Sequence, residues 1–222
     1  MAGRARQQHS ALATKTAMAE AAAREFMAHG YAGASLSGIA ERLGVTKGAL
    51  VYHFRAKADF VAYLVGVARA ATAQADAFAR AEYPERGSQR LLLYILLMAD
   101  WIGKEAQLSA GIALCTDVAS PTIEAGDVVQ DWQRLSLDAL SECKARGELG
   151  HMSAQDAAEF FLVATLGVHA FGRYLPPAER GAEQLRFVKL ALTAVGVTDV
   201  EGQVREVVET HATRLPAFRP SL

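Results

Sequence analysis

Apolar residues in this chain recur at three- and four-residue steps along almost its whole length. That period belongs to helices with one buried face, not to strands. Alanine is abundant and β-branched runs are short, which favours the same state. Gly and Pro punctuate the pattern, and no fixed repeat of 20–50 residues is visible. The spacing predicts an all-α protein. Helices are expected at about 14–29, 36–43, 46–53, 57–81, 88–103, 105–115, 123–146, 153–174, 178–195 and 199–212. Gly30 and Gly44 serve as stops, Ser35 as a cap, and the segment 216–222 is expected to fray. With 222 residues, 51% of them hydrophobic, the chain can bury a sizeable core.

Composition excludes several classes. The high apolar fraction and a net charge of −1 argue against disorder. The two cysteines, Cys115 and Cys143, cannot form a disulfide scaffold for so long a chain, and no secretory signal is seen. They are read as inert buried thiols, with a redox switch as the alternative, and the expected location is cytoplasmic, on the nucleoid when DNA is bound. The most apolar run, Leu91–Ala99, is too short to cross a bilayer, so no membrane partner is expected. There is no HExxH, GxSxG, P-loop or GxGxxG, and the six histidines lack metal-ligand spacing. No catalytic residue, metal or cofactor is expected, and an enzyme is disfavoured.

The net charge hides an asymmetry. Residues 1–60 hold eight Lys/Arg against four acids, a net of +4, while the rest holds fifteen against twenty, a net of −5. A basic end on an acidic body suits a protein that meets nucleic acid at one end only.

Within that basic end lies the span Ser35 to His53. Two short apolar-faced segments, with Leu36, Ile39 and Leu43 before Gly44 and with Val45 and Leu50 after it, have helix-turn-helix spacing. A plain helical hairpin fits the apolar spacing alone. The string Thr46-Lys47-Gly48-Ala49 adds a small, donor-rich face on which a backbone can press into a major groove. Lys47 can donate to a guanine edge or a phosphate. Thr46 can cap the helix and touch a phosphate. Tyr52, His53 and Lys57 sit where a sugar-phosphate backbone would pass, and Ser35 or Ser37 can offer a hydroxyl or an amide to it.

Residues 14–64 resemble the N-terminal domain of TetR-family transcriptional repressors. The likeness rests on Phe26, Gly30 and Tyr31, on Ile39, Ala40, Gly44 and Val45, on Lys47–Leu50, and on His53, Phe54 and Lys57. It implies a three-helix DNA-binding domain at 1–56 and a helical ligand-binding and dimerisation domain at 57–222. It also implies a homodimer on a partly palindromic operator, released by a small ligand. Lys47, Gly48 and Ala49 fall in the base-facing stretch, and Tyr52, His53 and Lys57 where the family holds phosphates. Val51 departs from the tyrosine usual after Gly-Ala-Leu. It offers only apolar contact, such as to a thymine methyl, and makes a non-DNA-binding adaptor the third reading. Gly38, inside the supporting helix, costs about 1 kcal/mol relative to Ala. It is either a close-approach point for DNA or simply tolerated.

The acidic body is an apolar bundle with a few embedded polar groups, as ligand pockets are. Tyr83, Tyr94, Met98, Trp101, Trp132, Phe160, Phe161 and Phe171 are candidates to line a cavity, against the alternative of a filled core. Gln133 flanks Trp132, and Thr165 can offer a hydroxyl. Motifs around 110–114, 131–133, 146–149 and 164–168 are similar to the γ-butyrolactone receptors of the TetR family. That likeness implies that Trp132 lines a pocket for a γ-butyrolactone, furan or butenolide, with Thr165 as its hydrogen-bond partner. The competing reading is a regulator of an efflux or catabolic gene answering another hydrophobic compound. The segments 153–174 and 178–195 carry broad apolar faces, with Ala164 and Gly167 permitting close approach. They are the expected dimer surface.

Overall fold

The computed structural model describes residues 2–120, 123–172, 174–211 and 213–218. Among them are ten α-helices and no strand. The helices are α1 (Ala2–Gly33), α2 (Leu36–Leu43), α3 (Lys47–His53), α4 (Lys57–Glu82), α5 (Gly87–Lys104), α6 (Ala106–Cys115), α7 (Ile123–Ala145), α8 (Ala154–Gly172), α9 (Pro177–Ala194) and α10 (Val200–His211). No helix among the described residues is long and apolar enough to cross a membrane. The all-α expectation holds, with helix ends close to those read from periodicity. The exception is α1, which starts at Ala2 rather than near Thr14. Residues 2–13 are mostly good helix formers without a clear apolar stripe, so propensity extends the helix where amphipathicity is silent.

Two compact units are present. The first holds residues 2–70 and 102–128, the second 71–101 and 129–218. In the first, α1 packs on α2 and α6. Its core joins Met18, Ala22 and Phe26 of α1 to Ile39, Leu50, Phe54, Phe60 and Leu64, all buried. Phe54 stacks on Phe60 at 3.9 Å between ring centroids. At Gly111 of α6 an added Cβ would overlap the Leu64 carbonyl of α4, so glycine lets these backbones touch. Val45, expected to help hold the two helices at an angle, is instead 39% exposed. Phe54, just past α3, fills the core beside Leu50.

In the second unit α5 is the central helix, with Leu91, Leu92, Leu93, Leu97 and Trp101 almost wholly buried. The Arg90 side chain is buried too. It donates to Glu142 of α7 at 2.8 Å and to the Pro84 carbonyl at 3.5 Å. α8 packs along α9, which also meets α10. Phe160 and Phe171 of α8, expected as cavity lining, lie on its exposed side. Residues 216–218, expected to fray, are packed onto the unit; 219–222 lie outside the described residues.

Gly38 has an explanation inside the fold. A Cβ there would overlap the Glu25 carboxylate of α1. Glu25 is 5% exposed, accepts from Arg42 at 2.7 Å and lies 3.4 Å from His29. Burial pushes this carboxyl up. The Arg42 hydrogen bond, the His29 and Arg42 charges and the Ser35 amide outweigh that and hold it below its ordinary value. Such a depressed group stabilises the fold above its ordinary value of 4.5, and that contribution disappears as pH falls through the folded value.

Two outcomes follow from this contact. Gly38→Ala should lower Tm, although the same change in an open helix adds about 1 kcal/mol. In a Glu25→Ala background it should raise Tm, and calorimetry of the four proteins checks the reversal of sign. The Tm advantage of wild type over Glu25→Gln should be largest above the ordinary value of 4.5 and shrink as pH falls below it.

Candidate nucleic-acid interface and ligand cluster

The α2–turn–α3 element is built by its caps. Ser35, in extended backbone at φ −138° and ψ 152°, accepts from the Gly38 amide through its Oγ at 3.0 Å. Gly44 stops α2 in the left-handed region, at φ 67° and ψ 29°. The Val45 amide then donates back to the Ala40 carbonyl at 3.1 Å, which closes the end of the helix. Thr46 begins α3 by accepting from the Ala49 amide at 3.3 Å. One side chain of α3, Leu50, is fully buried. With that anchor in place, Thr46, Lys47, Gly48, Ala49, Val51 and Tyr52 all face solvent, Tyr52 being 85% exposed. Ser37 is exposed as well, and His53 is half-buried with its ring edge against Tyr52 at 5.1 Å.

Gly48 meets nothing closer than the Thr46 hydroxyl at 3.8 Å, so the fold does not need a glycine there. Its smallness is available to whatever approaches α3 from outside.

The cations of this end divide sharply. Among the described side chains, Arg24 pairs with Glu20 at 2.6 Å and Arg42 with Glu25 at 2.7 Å. Lys15 lies over the Tyr63 ring at 4.9 Å. Lys57 donates to the Tyr31 carbonyl at 2.6 Å and the Ala34 carbonyl at 3.0 Å, with its ammonium 4.1 Å from the Tyr31 ring centre. Lys57, expected at phosphate, thus has an internal task as well. The carbonyls it holds belong to the end of α1, where Gly30 breaks the helix at φ 66° and ψ 178°. The Asp117 carboxylate holds the same corner by accepting from the Tyr31 amide at 2.9 Å. Lys47 and Arg55 are exposed, and among the described residues neither side chain has an internal partner. Sequence reasoning missed Arg55, because nothing in the string separates it from the cations that are paired.

In the second unit the proposed ligand residues do not form one site. Trp132 is buried, and its Nε1 donates to the Thr72 hydroxyl at 2.9 Å. The Tyr94 hydroxyl meets the same oxygen at 3.5 Å, and burial pushes that phenol well above its usual range. Beside Thr72 is a cleft of about 180 Å³ between Asp76 and Arg80 of α4 and Asp131 and Leu135 of α7. Thr72 carried no sequence signal, since a lone threonine within an alanine-rich helix looks like filler. Gln133 is exposed, about 100° around α7 from the buried Trp132. The Thr165 hydroxyl lies within hydrogen-bond distance of its own helix carbonyls at Phe161 and Leu162, 2.9 and 3.0 Å away. Tyr83 lines a different cleft of about 530 Å³ with Arg86, Glu206 and His211. Trp101 donates to the Pro216 carbonyl.

Burial raises the Cys143 thiol and pushes Cys115 up to about 12. Both are free. Among the described residues no group of three His, Cys, Asp or Glu is placed to hold a metal ion.

Residues 19–64 match the family model of the bacterial regulatory proteins, tetR family. No curated protein matches the sequence. Solved structures share the fold over nearly the whole chain. A γ-butyrolactone receptor, described as an ArpA-like protein, is 20% identical with a TM-score of 0.75, over 92% of this chain and 99% of its own. CprB, a TetR family protein from S. coelicolor A3(2), is 22% identical with a TM-score of 0.67, over 91% and 97%. SmeT, the repressor of the Stenotrophomonas maltophilia multidrug efflux pump SmeDEF, is 19% identical with a TM-score of 0.65, over 84% and 92%. The matched span holds α2, α3 and the start of α4, and so contains the exposed face described above.

Gly48→Ala separates fold from function in this domain. Tm should hold or rise, because an unobstructed helical Gly→Ala gains up to about 1 kcal/mol. DNA affinity should fall when the added methyl meets the groove. Lys57→Met should lower Tm by orphaning two carbonyls, whereas a purely phosphate-binding lysine would leave Tm unchanged. Thermal melts and gel shifts on the same samples distinguish the cases.

Proposed function

We propose that this protein is a homodimeric, ligand-responsive repressor that binds double-stranded operator DNA through α3 and is released by a small hydrophobic signal. The observation that carries the reading is the outward face of α3: one buried anchor, an unneeded glycine, and two unpaired cations, Lys47 and Arg55, beside it. Cations already paired inside a domain contribute little to phosphate binding. Unpaired exposed ones release counterions from DNA. Thr46, Lys47, Gly48, Ala49 and Val51 are proposed to face bases, and Ser35, Ser37, Tyr52 and His53 to contact phosphates, with Arg55 added. The functional boundary is proposed at 56/57.

The dimer is proposed to form between α8 and α9 of two copies. Phe160, Val163, Phe171 and Leu190 on these helices are 47–70% exposed, an apolar area that a second copy would cover. The two α3 helices would then enter successive major grooves, about 34–36 Å apart.

The effector is proposed to bind at Trp132, Thr72 and Tyr94, three polar tips on apolar bodies. A γ-butyrolactone, furan or butenolide offers ring oxygens for these donors, and the high fold similarity to a γ-butyrolactone receptor supports that class. Similarity to an efflux repressor supports the second reading, in which the signal is another hydrophobic metabolite or drug. Release requires that the effector bind the DNA-free arrangement more tightly than the DNA-bound one. The proposed location is the cytoplasm.

Selection of genomic fragments by the purified protein tests the reading and supplies the operator. Lys47→Ala and His53→Ala should each weaken operator binding, by about 1–3 kcal/mol if a base contact is lost. Wild-type affinity should fall steeply with salt; a flat salt response would refute DNA binding. Trp132→Phe keeps an aromatic side chain, though a smaller one, and loses the N–H. It should impair effector release of the operator complex in gel shifts while leaving operator affinity near wild type; equal loss of both would give Trp132 a structural role.

A further inference from the structure

Residues 216–218 cross onto α4 and α5 and make one contact each. The Trp101 Nε1 donates to the Pro216 carbonyl at 2.7 Å. The Gln74 amide donates to the Ala217 carbonyl at 3.3 Å. The Phe218 ring stacks on the Trp101 indole at 5.4 Å with 29° between planes. Trp101 is 1% exposed.

An indole N–H only donates, and a buried one needs an acceptor. Here the acceptor comes from a proline carbonyl. Proline fixes its own φ and has no N–H of its own to satisfy, so the segment is partly preorganised for binding in this form. Carbonyl, spacer and aromatic ring together satisfy both the donor edge and the face of one tryptophan. A neighbouring amide reads the intervening carbonyl.

We propose that Trp101 and Gln74 form a docking site for an extended carbonyl-bearing segment with an aromatic third residue, and that Pro216–Phe218 is its resident occupant. The segment acts as an internal ligand. Another molecule reaches the Trp101 indole only by displacing it, and the compounds able to do so pair a carbonyl acceptor with an apolar ring. This explains why Trp101, an expected effector contact, already has a partner. The proposal needs neither operator nor effector, so it stands or falls separately from the repressor reading.

The test uses protein ended at Leu215 beside the full chain, both carrying Trp132→Phe so that Trp101 is the single indole. The probe is a peptide of residues 216–222, PAFRPSL. Removal of the segment should shift Trp101 emission to the red, and added peptide should saturably restore it. The full chain should not respond to peptide. A peptide with Phe218→Ala should bind the shortened protein about tenfold more weakly, as expected for loss of a stacked aromatic contact. Identical emission with and without residues 216–222, or equal peptide binding by both proteins, would overturn the proposal. Should the shortened protein fail to show a cooperative melt, full-length Phe218→Ala replaces it. Its Trp101 emission should move to the red, and unchanged emission would overturn the proposal.

Discussion

The corner at the end of α1 is the contact on which the placement of α2 and α3 depends. Gly30 breaks the helix and leaves backbone groups without helical partners, the cost that every helix end carries. Lys57 takes two of the freed carbonyls, and Asp117 takes the Tyr31 amide. One lysine from the start of α4 and one carboxylate from the segment after α6 therefore fix the direction in which the chain enters α2. The caps at Ser35, Gly44 and Thr46 then carry that direction to α3 with little freedom left. Leu50 seals the result by burying the inner side of a helix only seven residues long.

Charge follows the same logic. A net of +4 over residues 1–60 suggests a uniformly basic surface. Among the described side chains, internal partners tie down Arg24, Arg42 and Lys57 without changing that sum. Glu25 exemplifies this: buried, hydrogen-bonded to Arg42, and so close to α2 that a Cβ at residue 38 would displace its carboxylate. Among the described side chains, the exposed cations without an internal partner lie beside α3, at Lys47 and Arg55. A small number of unpaired cations next to a smooth helix face is a more specific surface than many dispersed ones. The paired cations orient the helices, and the free ones stay available at the surface.

Much of the fold was legible because local rules carry it. Apolar periodicity located the helices, and Ser, Gly and Thr at particular offsets located the caps of α2 and α3, since those interactions lie within a few residues. The exposed face of α3 was legible for the same reason. Failures came where a side chain's partner is distant in sequence. Lys57 looked like a phosphate ligand and nothing more because its acceptors lie more than twenty residues earlier. Trp101 looked like pocket lining because its acceptor lies more than a hundred residues later. Gln133 failed for a simpler reason: adjacent residues on a helix point about 100° apart, so a neighbour of a buried tryptophan is commonly exposed.

The sequence by itself determined an all-helical chain with a helix-turn-helix in a basic end and no catalytic or metal-binding signature. These are properties of short-range spacing and of charge summed along the chain. The tertiary structure alone decided which cations stay free, why position 38 is glycine, that Thr72 and Tyr94 join Trp132, and that residues 216–218 cover Trp101. Each of these is a competition among partners brought together by folding. A hydrogen bond or an ion pair goes to whichever group the packed chain places within about 3 Å, and distance along the sequence does not set that.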